Sequence, residues 1–141
     1  MAALCVGCSF SADKKEAEGL AEQYFADIRG SDFEGALALY SPRFFAVTSR
    51  EQWLLFLKEQ RSRCGTPKTH TLTNWNVFSS FGINSGTRTT LTYEVEYSSC
   101  RVSESLTTFK PSGGKIQIQG HYFNSNPKPG TQGESQATLK T

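Results

Sequence analysis

Residues 87–97 read Thr-Arg-Thr-Thr-Leu-Thr-Tyr-Glu-Val-Glu-Tyr. Within them Leu91, Tyr93, Val95 and Tyr97 alternate with Thr90, Thr92, Glu94 and Glu96. A strict period of two puts one set on each face of a strand, so the stretch predicts a half-buried strand in a sheet with one apolar side. Two further strands follow before Phe123. In the first, Val102, Glu104 and Leu106 share a face. In the second, Ile116, Ile118 and Tyr122 are expected on the inner face and Gln117, Gln119 and His121 on the outer one, with Ser112-Gly113-Gly114 as the turn between the two strands.

Upstream, residues 68–81 also alternate, with Thr71, Thr73, Trp75 and Val77 on one side and Leu72, Asn74, Asn76 and Phe78 on the other. Neither set is cleanly apolar, which suits a long, bent strand near an edge, and residues 82–86 supply the turn into the central sheet. Before that the period becomes helical. Asp13 and Glu16 form a capping-box pattern ahead of an apolar stripe of Leu20, Ala21, Tyr24, Phe25 and Ile28, and Gly30 ends the helix. Ser31 and Glu34 open a second helix carrying Phe33, Leu37 and Tyr40, which Ser41-Pro42 stops. Residues 43–47 read as an aromatic loop whose phenylalanines plug the helix layer. Ser49 and Gln52 open a third helix bearing Trp53, Leu54, Phe56 and Leu57, ending near Cys64-Gly65. The expected fold class is α+β over residues 13–124: three N-terminal helices packed on the concave face of a curved four-stranded antiparallel sheet. Residues 125–141, with Pro127, Pro129, Gly130 and Gly133 among polar neighbours, are expected to form a disordered C-terminal tail.

A chain of 141 residues with 37% hydrophobic and 12% aromatic content fits one folded domain. The net charge of +2 and the scattered basic residues give no footprint for nucleic acid. No apolar run reaches the roughly twenty residues of a membrane helix. Residues 1–12 centre on Leu4-Cys5-Val6-Gly7-Cys8, which resembles the end of a bacterial lipoprotein signal peptide with Cys8 as the lipidated residue. That reading places the protein in the bacterial periplasm or cell envelope, with membrane anchoring through Cys8. If export removes Cys5 and lipidation consumes Cys8, Cys64 and Cys100 remain as an even pair in an oxidising compartment, where a disulfide is expected. No cysteine and histidine spacing suggests a metal site, and no glycine-rich loop suggests a nucleotide, so neither metal nor cofactor is expected.

The order of elements adds a resemblance. Ile28-Arg29-Gly30-Ser31-Asp32-Phe33, Tyr40-Ser41-Pro42, Gln52-Trp53 and the run Lys115-Ile116-Gln117-Ile118-Gln119-Gly120-His121-Tyr122 resemble small bacterial envelope domains of unknown function in the nuclear-transport-factor-2-like, or cystatin-like, superfamily. The resemblance implies a conical fold with a pocket between sheet and helices, and dimers through the sheet. It does not imply one function, because the same shell holds enzymes and non-catalytic modules.

The candidate site residues follow from which side chains face inward. Tyr24, Ile28, Trp53, Tyr93, Val95, Leu106, Ile118 and Tyr122 would line a pocket for a small apolar ligand or protein partner. Glu104, a carboxylate on an otherwise apolar face, is the one weak catalytic candidate, and a salt bridge to Arg88 or Arg101 would satisfy it structurally. His70 and His121 read as surface histidines. The favoured function is a non-catalytic, secreted or lipid-anchored envelope domain. The alternative is a small isomerase- or hydrolase-like enzyme with Glu104 as base and Tyr93 or Tyr122 as hydrogen-bond donor.

Overall fold

The computed structural model describes residues 6–125. The expected leader residues before Val6, Cys5 among them, and the expected tail from residue 126 onward lie outside the described residues. The elements run α1 (Val6–Arg29), α2 (Phe33–Leu37), α3 (Pro42–Val47), α4 (Arg50–Cys64), β1 (Pro67–Ser80), β2 (Gly86–Tyr97), β3 (Arg101–Pro111) and β4 (Gln117–Ser125). The four strands form one open antiparallel sheet in the order β1-β2-β3-β4. The architecture is α+β, with four helices among the described residues where the sequence suggested three.

Two helix boundaries differ from expectation for local reasons. Asp13 does not cap α1, because the helix already runs through it from Val6. No proline interrupts that stretch, and the Lys14–Glu18 pair at 3.2 Å is an i,i+4 contact typical of a helix interior. The expected linker up to residue 12 is therefore helical from Val6 onward. The aromatic loop over residues 43–47 is also a helix, α3. Ser41 Oγ accepts from Phe44 N at 3.2 Å, and Pro42 takes the first helical position, where its missing N–H costs nothing. Ser41-Pro42 thus stops one helix and starts the next.

The other caps are simpler. Asp32, and not Ser31, caps α2 by accepting from Gly35 N, while Ser31 turns the chain at a φ of 58°. Ser49 caps α4 as expected, and Gly65 closes it at a φ of 83°.

The sheet's inner face follows the alternation through β2 and β3. Thr89, Leu91, Tyr93, Val95 and Tyr97 are buried on β2, and Val102, Glu104, Leu106 and Thr108 on β3. Facing them, α1 presents Ala17, Ala21, Tyr24, Phe25 and Ile28, and Phe44 and Trp53 fill in from α3 and α4. In β1 a register shift between Leu72 and Asn74 exchanges the faces. It explains the mixed alternation, because Leu72 pairs with inward Tyr93 while Asn74 pairs with outward Thr92.

A second shift, in the β3–β4 pairing, decides the site. Thr107 lies opposite Gly120 and Thr108 opposite Ile118, so Gln119 has no partner. The extra residue reverses the alternation of β4 after Ile118. Ile118 stays inside, His121 and Phe123 turn inside, and Tyr122 turns out, 39% exposed. Both the inward placement of Tyr122 and the outward placement of His121 expected from the sequence are thereby corrected. Ile116 precedes the strand and is half-buried.

Candidate functional site

The inward turn of His121 completes a chain of polar groups inside the apolar core. Glu104, on β3, lies opposite Tyr93 of β2 and Phe123 of β4. Tyr97, at the end of β2, donates its hydroxyl to Glu104 Oε2. His121 Nε2 stands 3.0 Å from Glu104 Oε1, and His121 Nδ1 stands 2.6 Å from the Tyr40 hydroxyl. One proton arrangement satisfies all three contacts. Tyr40 O–H donates to Nδ1, Nε2–H donates to one carboxylate oxygen, and Tyr97 O–H donates to the other.

Tyr40 reaches this position because the α2–α3 connection docks on the edge of β4. Ser41 N donates to Ile118 O and Ile118 N donates to Leu39 O, both at 2.8 Å, so residues 39–41 pair with the outer edge of the sheet. The same contacts cover backbone groups of an edge strand.

Aromatic rings enclose the chain. His121 stacks on Phe123 at 4.2 Å, lies edge-on to Tyr24 at 4.9 Å and meets Trp53 at 5.6 Å between ring centres. Trp53 in turn stacks on Phe56 at 5.0 Å. The Trp53 Nε1 donor has no hydrogen-bond partner among the described residues.

Burial sets the electrostatics. The side chains of Glu104 and His121 have no exposed surface. Burial holds the His121 imidazole below the ordinary histidine range, with the hydrogen bond and charge of Glu104 pulling the other way. Burial also pushes the Tyr24, Tyr40, Tyr93 and Tyr97 hydroxyls up. The Glu104 charge adds to the rise at Tyr24, Tyr40 and Tyr97, so the phenols stay protonated donors at neutral pH.

Several expected partners do not meet. Arg101 reaches Glu96 at 2.6 Å and Glu94 at 3.8 Å, and Arg88 reaches Gln119, so neither arginine pairs with Glu104. The donors to Glu104 are Tyr97 and His121, where the enzyme alternative named Tyr93 or Tyr122. His70 lies elsewhere, stacked on Phe25 at 4.3 Å with Nε2 2.6 Å from Glu22. Tyr24, Trp53, Tyr93, Leu106 and Ile118 do converge, but as buried core residues. The wall of an open pocket keeps solvent-accessible surface, and these side chains keep almost none.

Cys64 and Cys100 are joined as a disulfide, with Cα atoms 4.9 Å apart, tying the end of α4 to the β2–β3 turn. Ser99 N donates to Cys64 O at 2.8 Å beside it. Cys8 falls within α1, but its side-chain surroundings lie outside the described residues. No group of three or more histidine, cysteine, aspartate or glutamate side chains among the described residues is arranged to hold a metal ion.

The fold, with this interior, has a likeness among known proteins. No protein-family model matches the chain, and no curated protein matches it. Among solved structures, the helical cell shape determining protein Pgp2 from Campylobacter jejuni matches with a TM-score of 0.50 and 17% sequence identity. The likeness is one of fold. It covers 72% of this chain but 38% of Pgp2, so the shared unit is a minor part of that protein.

Proposed function

We propose that this chain is a non-catalytic domain of the bacterial envelope, built on the nuclear-transport-factor-2-like shell, that acts by docking a protein partner. The observation that carries this reading is the closure of the Glu104–His121–Tyr97–Tyr40 chain. Its groups are chemically suited to proton transfer, yet the carboxylate and imidazole have no surface from which to reach a substrate. Every donor in the chain meets an acceptor within it, which is what a buried polar network needs in order to hold a core together. A small apolar ligand would require this core to open.

Partner docking then falls to the surface. On the outer face of the sheet, Thr90 pairs with Thr107 at 3.2 Å and Thr92 with Ser105 at 3.0 Å, a hydroxyl ladder flanked by exposed Tyr122. A second copy of the chain is one partner this face would suit. The envelope placement draws on the Cys8 pattern and on the fold shared with a bacterial cell-shape protein, where it forms a part of a longer chain.

Two experiments test the reading. Expressed in bacteria with its native leader, the protein should fractionate with membranes and be released by Cys8→Ser; wild-type protein found wholly in the cytoplasm would refute the placement. For the site, Glu104→Gln should lower stability, and neither it nor the wild type should turn over small esters or carbonyl compounds. Loss of a measurable wild-type turnover in a variant that keeps its fold would establish the enzyme instead.

A further inference from the structure

The β1–β2 connection presents apolar side chains where a soluble surface would carry polar ones. Gly82 and Asn84 adopt positive φ values of 95° and 64°, and Ser85 N donates back to Gly82 O at 3.2 Å. These two residue types tolerate the left-handed conformation that makes the turn tight. Between and before them, Phe81 and Ile83 project with 92% and 95% of their surface exposed, and Phe78 behind them is 64% exposed.

The two hairpins that meet at this tip are basic. Residues 76–93 carry one charged side chain, Arg88, and residues 105–120 carry two, Lys110 and Lys115; neither stretch contains an aspartate or glutamate. The two hairpin ends are tied together, with Ser85 Oγ 2.9 Å from Ser112 Oγ and Ser112 N donating to Ser85 O. Lys110 pairs with Glu16, while Arg88 and Lys115 have no carboxylate partner among the described residues. At the opposite end of the sheet lie Glu94 and Glu96 with Arg101.

The N-terminal part of α1 lies at the same basic end. Lys14 sits over the Trp75 ring at 4.9 Å and Glu16 reaches Lys110 at 3.0 Å, whereas Arg29, at the far end of the helix, donates to Pro67 O. The helix therefore runs antiparallel to β1, and the chain enters the domain beside the hairpin tips.

We propose that this end of the domain is a membrane-facing wedge. Phe81 and Ile83, with Phe78 behind them, enter the interfacial layer of an anionic phospholipid bilayer while Arg88 and Lys115 meet its phosphates. Charge complementarity favours an anionic lipid surface as the occupant, since Arg88 and Lys115 flank the apolar tips without a carboxylate partner among the described residues. A bilayer interface takes up apolar tips a few ångströms deep and draws basic residues to its phosphates. The inference rests on the envelope placement proposed above, and would seat the domain close to the membrane to which Cys8 would tether it.

The test uses the full chain with Cys5→Ser and Cys8→Ser, so that no acyl chain contributes, and vesicles of mixed phosphatidylglycerol and phosphatidylethanolamine. The protein should sediment with these vesicles and less with pure phosphatidylcholine. Phe81→Trp should show blue-shifted emission on binding and be quenched by brominated lipid. Phe81→Ser with Ile83→Ser should weaken binding by about tenfold or more, since two inserted apolar side chains are lost. The far-UV circular dichroism spectrum and melting temperature of that double variant should match the parent, because the replaced side chains are almost fully exposed. Absent vesicle binding, an unshifted Phe81→Trp spectrum, binding indifferent to lipid charge, or a double variant that melts early would each overturn the proposal. None of these outcomes bears on the Glu104 experiment, so failure of the wedge would leave the non-catalytic reading to its own test.

Discussion

Replacing Glu104 with glutamine keeps the side chain's shape and removes one of its two acceptor oxygens. In the folded protein those oxygens receive the Tyr97 hydroxyl and His121 Nε2, the latter at 3.0 Å. A glutamine oxygen can serve one of these donors, and its amide then faces the other. The Tyr97 hydroxyl could rotate and accept, but its own proton would then lack a partner. His121 could instead move its proton to Nδ1, but that nitrogen is 2.6 Å from the Tyr40 hydroxyl, which would have to give up its donation. Either way one donor is orphaned in a site without solvent access, at a cost of about 1–3 kcal/mol. Taking about 2 kcal/mol, a domain of this size should lose roughly 6–12 °C in melting temperature. Urea unfolding should show a lower midpoint with an unchanged slope, the sign of altered stability without an altered unfolded state. A variant as stable as wild type, or more so, would refute the claim that the carboxylate is held by two donors in the folded core.

Two other outcomes follow from the same interior. Cys64→Ser with Cys100→Ser should cost about 4 kcal/mol by the chain-entropy relation for the 36-residue separation, measured as a lower urea midpoint under oxidising conditions; equal stability of variant and wild type would contradict it. Stability should also fall on mild acidification. His121 has a lowered pKa in the folded state, so below the unfolded value of about 6.5 the unfolded chain takes up a proton that the native core resists, and the contribution present above that pH is lost as pH drops toward the folded value. Thermal melts at descending pH should show this decline, and His121→Gln should flatten it.

The sheet was legible because β2 and β3 obey one rule from end to end. Their alternation from Thr89 to Thr108 correctly placed Tyr93, Val95, Glu104 and Leu106 inside. Legibility failed where one residue was inserted. The irregularity at Gln119 reverses every later side chain of β4, and no alternation rule applied straight through it could have found His121. A signal was present in Gly120, since glycine inside a strand often marks a bulge. The partners of Glu104 were missed for a related reason. In the sequence Tyr97 belongs to an apolar stripe and Tyr40 to a helix face, and only the pairing of residues 39–41 with the β4 edge brings the second hydroxyl to the imidazole. Local patterns report which face a residue takes. They do not report which two faces meet across eighty residues of chain. The Ser41-Pro42 boundary shows the same limit at short range, since a signal for ending a helix is also one for beginning the next.

Whether the Glu104–His121 pair is a closed structural element can be read from the nitrogen-15 spectrum of the His121 imidazole as a function of pH. A closed pair should show a single neutral tautomer, protonated at Nε2, that persists at neutral pH and through mild acidification to below the ordinary histidine pKa, with the Nε2 proton protected from solvent exchange. An imidazole that titrates near 6.5 and exchanges its protons freely would contradict it, because such a ring would be open to water and to substrate.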